Sequence, residues 1–160
     1  MKPSLLVLTV ALVIATPSAA RAQTAADTPV AVYLPGLGDL MTMTVQPRHI
    51  KLGLAGREKN WAYATYELAE LNEALNRVAK LRPRWRDFAI AEMMRAVTKE
   101  PLGELADAIK SADGVRFAQS HGKLTESCNL CHQSTGQGVI VIKVPETSPY
   151  PDQNFQPARK

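Results

Sequence analysis

The most chemically specific spacing in this chain is Cys128-Asn129-Leu130-Cys131-His132. Two thiols three residues apart lie on one side of a helical turn, and the imidazole that follows comes off the same turn. C-x-x-C-H is the attachment signature of c-type haem. The thiols form thioethers to two vinyl groups, and the histidine offers a ring nitrogen to iron. The sequence holds only these two cysteines, too close together to staple distant parts of a fold. The expectation is one covalent haem c on Cys128 and Cys131, with His132 as axial iron ligand. A dithiol redox pair belongs in a βαβ unit. Zinc needs a second pair of ligands, for which only His49 and His121 remain. A zinc or dithiol binding module without haem is the alternative from another class.

The far side of the iron needs a group from another helix. His121 precedes His132 by eleven residues, about three turns on the same face and roughly 16 Å along the axis. It can pack beside a haem, reach a propionate or serve as a seam histidine, but it cannot oppose His132. Upstream stand Met41, Met43, His49 and Leu52. A second imidazole gives a low reduction potential and a thioether a higher one, whereas a leucine leaves iron five-coordinate and open to small gases. His49, Met41 or Met43, and no protein ligand all stay open. Arg48 and Lys51 are candidates to neutralise propionates.

Helices must position these groups. The apolar periodicity and the Gly and Pro punctuation predict helices over residues 39–55 (ended by Gly56 and either kinked at Pro47 or starting near Val45), 58–81 and 85–98. A short piece opening at Pro101 follows, and a last helix covers 115–133. The second helix has the clearest seam, Trp61, Ala64, Leu68, Leu71, Leu75 and Val78, with Glu67, Glu70 and Glu73 on its other faces. In the third, Trp85, Phe88, Ala89, Met93 and Ala96 point inward; in the fourth piece Leu102, Leu105 and Ile109 share a face. The last helix presents Phe117, His121, Leu124, Cys128 and Cys131, and Gly136 and Gly138 end it. Such helices with short breaks predict an all-α antiparallel bundle. Residues 139–144 (VIVIKV) suit one extended strand, and the Pro-rich remainder to 160 cannot be helical. The tail is expected to fold back over an exposed haem edge or an open bundle end.

Residues 1–22 read as a cleaved secretory signal, with Lys2, an apolar run over 5–15 and Ala20-Arg21-Ala22. The run of roughly 11 apolar residues is shorter than the ~20 of a membrane-spanning helix, so no stable membrane insertion is expected. The division is then 1–22 signal, 23–138 haem-binding bundle and 139–160 tail, in the periplasm. Removing Lys2 and Arg21 with the signal lowers the formal charge from +4 to +2, which gives no case for nucleic acid. Arg77, Lys80, Arg82, Arg84 and Arg86 cluster around Pro83 and can steer an acidic redox partner.

The motif near the end of a helical chain resembles the class II cytochromes c, the cytochrome c′ type, over about residues 39–132. That resemblance implies an antiparallel four-helix bundle with a C-terminal haem motif, and it permits a homodimer. On VQPRHIKL it also implies Arg48 beside the haem and Leu52 over the iron. The chain departs from the pattern by continuing for 28 residues past His132. The expected function is that of a periplasmic monohaem single-electron carrier serving periplasmic redox proteins, with no catalytic residues and no enzymatic activity. The alternative is a five-coordinate protein binding NO or CO.

Overall fold

The computed structural model describes residues 33–158; the expected signal over residues 1–22 lies outside them. The described chain is all-helical: α1 (Leu37–Leu40), a π turn (Met41–Val45), α2 (Gln46–Arg57), α3 (Trp61–Leu81), α4 (Ile90–Lys110) and α5 (Gly114–Ser134). The first three segments are continuous, since Met41 and Gln46 keep right-handed helical angles at the junctions. No strand forms among the described residues; Trp85 and Phe88 make one isolated bridge.

Pro47 explains the π turn. A proline ring clashes with the carbonyl four residues back and brings no N–H. Widening the preceding turn by one residue relieves this, and the amide of Gln46 reaches back to the carbonyl of Met41. The helix thus does not start at Val45, and the disturbance expected at Pro47 takes the form of the π turn just before it. It also does not end at Gly56. It runs to Arg57, and Lys59 takes the left-handed position with φ 56°. Asn60 then caps α3 by accepting the Tyr63 amide at 3.2 Å, so α3 starts later than the predicted residue 58. Gly56 is small for another reason: a Cβ there would overlap the ring of Phe117 on α5.

Pro101 does not open a separate helix. It lies buried inside α4, whose apolar face continues through it from Ile90, Met94 and Thr98 to Leu105, Ala108 and Ile109. An interior proline costs about 3 kcal/mol, offset here by packing on both α3 and α5. The inward face before Pro101 is also one residue off expectation, with Met94 buried and Ala96 exposed. Asp113 caps α5 with 3.0 Å bonds from the amides of Val115 and Arg116, and Gly136 (φ +74°) ends it.

The core joins Leu52 and Leu54 of α2, Leu71 and Val78 of α3, Leu105 of α4, and Phe117 and Leu124 of α5. Glu67, expected outside, is 1 % exposed within it. Its carboxylate accepts from Arg48 at 3.2 Å, and Arg48 reaches Glu70 at 2.9 Å. The tail is extended without becoming a strand, and it packs on the helices. Phe155 is buried and stacks on Tyr63 with centroids 5.5 Å apart. Asn60 donates to the Gln156 carbonyl at 3.0 Å, and Arg57 donates to that of Glu146.

Candidate functional site

Cys128, Cys131 and His132 occupy the last two turns of α5 and line one cleft of about 210 Å³. Facing them are Met41 and Val45 of the π turn and His49 of α2. Trp85, Ile90 and Met94, with Ile140 and Ile142 of the tail, add to the lining. The lining is mainly aliphatic, aromatic and thioether.

Both thiols are free and half-buried. Burial pushes the Cys128 thiol up to about 11, with Cys131 adding to the effect, and burial raises Cys131 as well. Thiols kept protonated in apolar surroundings are poor thiolate nucleophiles. His132 lies 2.8 Å from the carbonyl of Ile140 through Nδ1. A carbonyl only accepts, so Nδ1 carries the proton and Nε2 keeps its lone pair. Two unengaged thiols and an imidazole with one free nitrogen in an apolar cleft are the donor set that covalent porphyrin attachment requires. Among the described residues, no three His, Cys, Asp or Glu side chains group as a set of metal ligands.

The upper half of α5 is closed. His49 and His121 lie with ring centroids 4.5 Å apart, both buried. Thr125 donates its hydroxyl proton to the His121 carbonyl at 2.8 Å. It therefore accepts from His49 Nε2 at 2.9 Å, which leaves the lone pair of His49 on Nδ1. His121 Nε2 donates to the His49 carbonyl at 3.1 Å, and His121 Nδ1 is buried without a partner. Burial, reinforced by His121, lowers His49 to about 3; burial also lowers His121. Gly53 makes room for this pair, since a Cβ there would stand 2.8 Å from the His121 ring and 2.6 Å from Pro145.

Of the upstream candidates, Met41 and His49 line the cleft. Met43 does not; it points outward at 74 % exposure. Leu52 is also not at the cleft, being 0 % exposed in the core. Arg48 turns away from it to Glu67 and Glu70 on α3, and Lys51 lies over the Tyr150 ring at 4.7 Å. The α3 carboxylates account for Arg48, which they hold by ion pairs. His121 sits in the α2–α5 seam, with Nε2 bonded to the His49 carbonyl and Nδ1 without a partner, rather than at the cleft.

Four residues of this region read differently in the sequence. Trp85 was read as core; it packs against the core and also lines the cleft. Ile140 and Ile142 were read as a strand in a tail folding back over a haem edge or an open bundle end; no strand forms, and both line the cleft. Asn129, inside the motif, binds the backbone of Ile142 twice, donating through Nδ2 at 2.9 Å and accepting through Oδ1 at 2.7 Å. A polar side chain in the motif followed by a β-branched run was the available signal.

The chain matches no protein-family model, no curated protein and no solved structure.

Proposed function

We propose that this chain is an exported monohaem c-type cytochrome that passes single electrons between periplasmic redox proteins. The observation that carries this reading is the convergence of Cys128, Cys131 and His132 on one apolar cleft. The cysteines would hold haem c through thioethers, and Nε2 of His132 would be an axial ligand. The haem, when bound, supplies the one-electron iron couple. The chain's own groups tether it, exclude water from the thiol side and orient the imidazole, so no acid, base or nucleophile is required. The raised thiols argue against a dithiol oxidoreductase, which depends on a lowered thiol. The cleft volume is below the ~300–1,000 Å³ of enclosed small-molecule pockets. Among the described residues no helix is long and apolar enough to cross a membrane.

The four long helical segments then form an antiparallel bundle of the cytochrome c′ type. His49 meets Thr125, Gly53 meets His121 and Gly56 meets Phe117. Residue numbers thus rise along α2 as they fall along α5. Two turns back from His49 stands Met41, and two turns on from Thr125 stands His132. The same register therefore favours Met41 as the group opposite His132. The gas-binding alternative needs Leu52 over the iron and gains nothing from its core position.

The test is protein exported and matured with the c-type haem machinery. A pyridine haemochrome spectrum is expected to show one covalent haem, lost completely in the Cys128→Ala/Cys131→Ala variant. Met41→Leu is expected to convert a low-spin six-coordinate spectrum to high spin, and Met43→Leu to change nothing. Colourless wild-type protein with two reactive thiols would end this reading.

A further inference from the structure

We propose that residues 140–142 are a positioning element for His132, locked in place by Asn129, and that they set the donor strength of the axial imidazole. This rests on the haem reading above.

The geometry begins at the end of α5. Gly136 (φ +74°) reverses the chain, the amide of Gln137 reaches the His132 carbonyl at 2.7 Å, and that of Ile140 reaches Gln137 at 2.9 Å. Ile140 is thereby returned beside His132, where its carbonyl accepts the Nδ1–H. One turn earlier, Asn129 matches its amide to both backbone groups of Ile142. Backbone carbonyls two residues apart in an extended segment point the same way. The lock at Ile142 therefore also aims the carbonyl of Ile140 at α5. Val139 and Val141, between these contacts, face solvent.

This segment is not a passing loop. Beyond it, Pro145 packs against Gly53, Tyr150 lies under Lys51, and Phe155 is buried against Tyr63. The carbonyl is held from both ends.

An acceptor on the far nitrogen of a ligating histidine fixes its tautomer and ring orientation and raises its basicity. Losing such a partner typically costs 10–100-fold in metal affinity or activity. A more basic imidazole favours ferric over ferrous iron. The positioning element therefore lowers the reduction potential, and releasing it raises the potential.

The experiment uses full-length, haem-loaded protein and the Asn129→Leu variant, with covalent haem counted first by pyridine haemochrome. In the ferrous, CO-saturated state, diamagnetic whichever group is the sixth ligand, the His132 Nδ1–H is expected to exchange slowly with solvent. In Asn129→Leu that exchange becomes at least tenfold faster and the midpoint potential rises, while the haem count stays at one. Asn129→Asp, which keeps the acceptor for the Ile142 amide, falls between. Unchanged exchange and potential in Asn129→Leu, with haem retained, overturn the positioning role and leave the haem reading intact. If Asn129→Leu fails to mature, wild type decides alone, because an Nδ1–H exchanging at the rate of an open imidazole is equally fatal. Wild type without haem overturns both, and the haemochrome reveals that before any exchange is measured.

Discussion

The two halves of α5 carry a histidine each and treat it in opposite ways. His121 is 1 % exposed, wedged between His49, Phe117 and the Cβ-free face of Gly53, with its proton committed to a carbonyl of the neighbouring helix. His132 is half-buried, its proton is taken by the tail, and its second nitrogen is free beside a cleft. The same residue type on one helix is sealed at one end and presented at the other. The glycines of α2 bring the helices close in the sealed half. The π turn, Trp85 and the tail surround an opening in the other. Close packing in one half thus holds α2 against α5, and the separation two turns on remains as free space for chemistry.

If that division is right, changes in the sealed half should alter stability and leave the haem spectrum alone. Acid is the broadest lever. His49, lowered to about 3 by burial, and His121, also lowered, stay neutral in the folded state while the unfolded chain protonates near pH 6.5. Below that pH the unfolded state binds more protons, so stability falls as pH falls from about 6.5 towards 3. For His49 the slope approaches about 1.4 kcal/mol per pH unit over that window, and the lowered His121 acts in the same direction. Urea midpoints at pH 7 and pH 5 measure it, and equal midpoints would contradict the neutral pair. Arg48→Leu is next. It strands the buried Glu67 carboxylate, a change of the kind that costs about 3 kcal/mol, with no shift in potential. A shifted potential with unchanged stability would return Arg48 to a propionate. Gly56→Ala drives a methyl into Phe117 and is expected to cost about 1–3 kcal/mol in a urea melt, against a small helix-propensity gain. Smallest is Thr125→Val, which leaves His49 Nε2 without an acceptor at about 1 kcal/mol or somewhat more. Spectral change in Arg48→Leu or Gly56→Ala would mean the halves are coupled, whereas Thr125→Val acts on His49, which itself borders the cleft.

Legibility in the sequence followed the same boundary. The C-x-x-C-H spacing stood out because its chemistry is local to one turn. The α3 seam of Ala64, Leu68, Leu71 and Val78 was legible because a single face repeats every three or four residues. Pro101 was misread, since its local cost is visible while the packing on both sides that outweighs it is not. Glu67 was misread because its partner, Arg48, comes from another helix. Gly56 was taken for a helix end when its role is to admit a ring 61 residues later in the chain. The distal candidates could not be sorted by spacing alone. Their facing depends on a π turn that only the carbonyl–proline conflict at Pro47 explains.

That turn has a consequence for chain length. Each residue of a helix rotates what precedes it by about 100°. The residue count between Leu40 and Gln46 therefore sets the angular phase of everything upstream against everything downstream. Omitting any one of those five positions would leave His49 and Leu52 seated and swing Leu37 by more than a quarter of a circle, away from the opening it now borders. Here an extra residue is a gear tooth, and the wall opposite His132 stays in mesh only while it is kept.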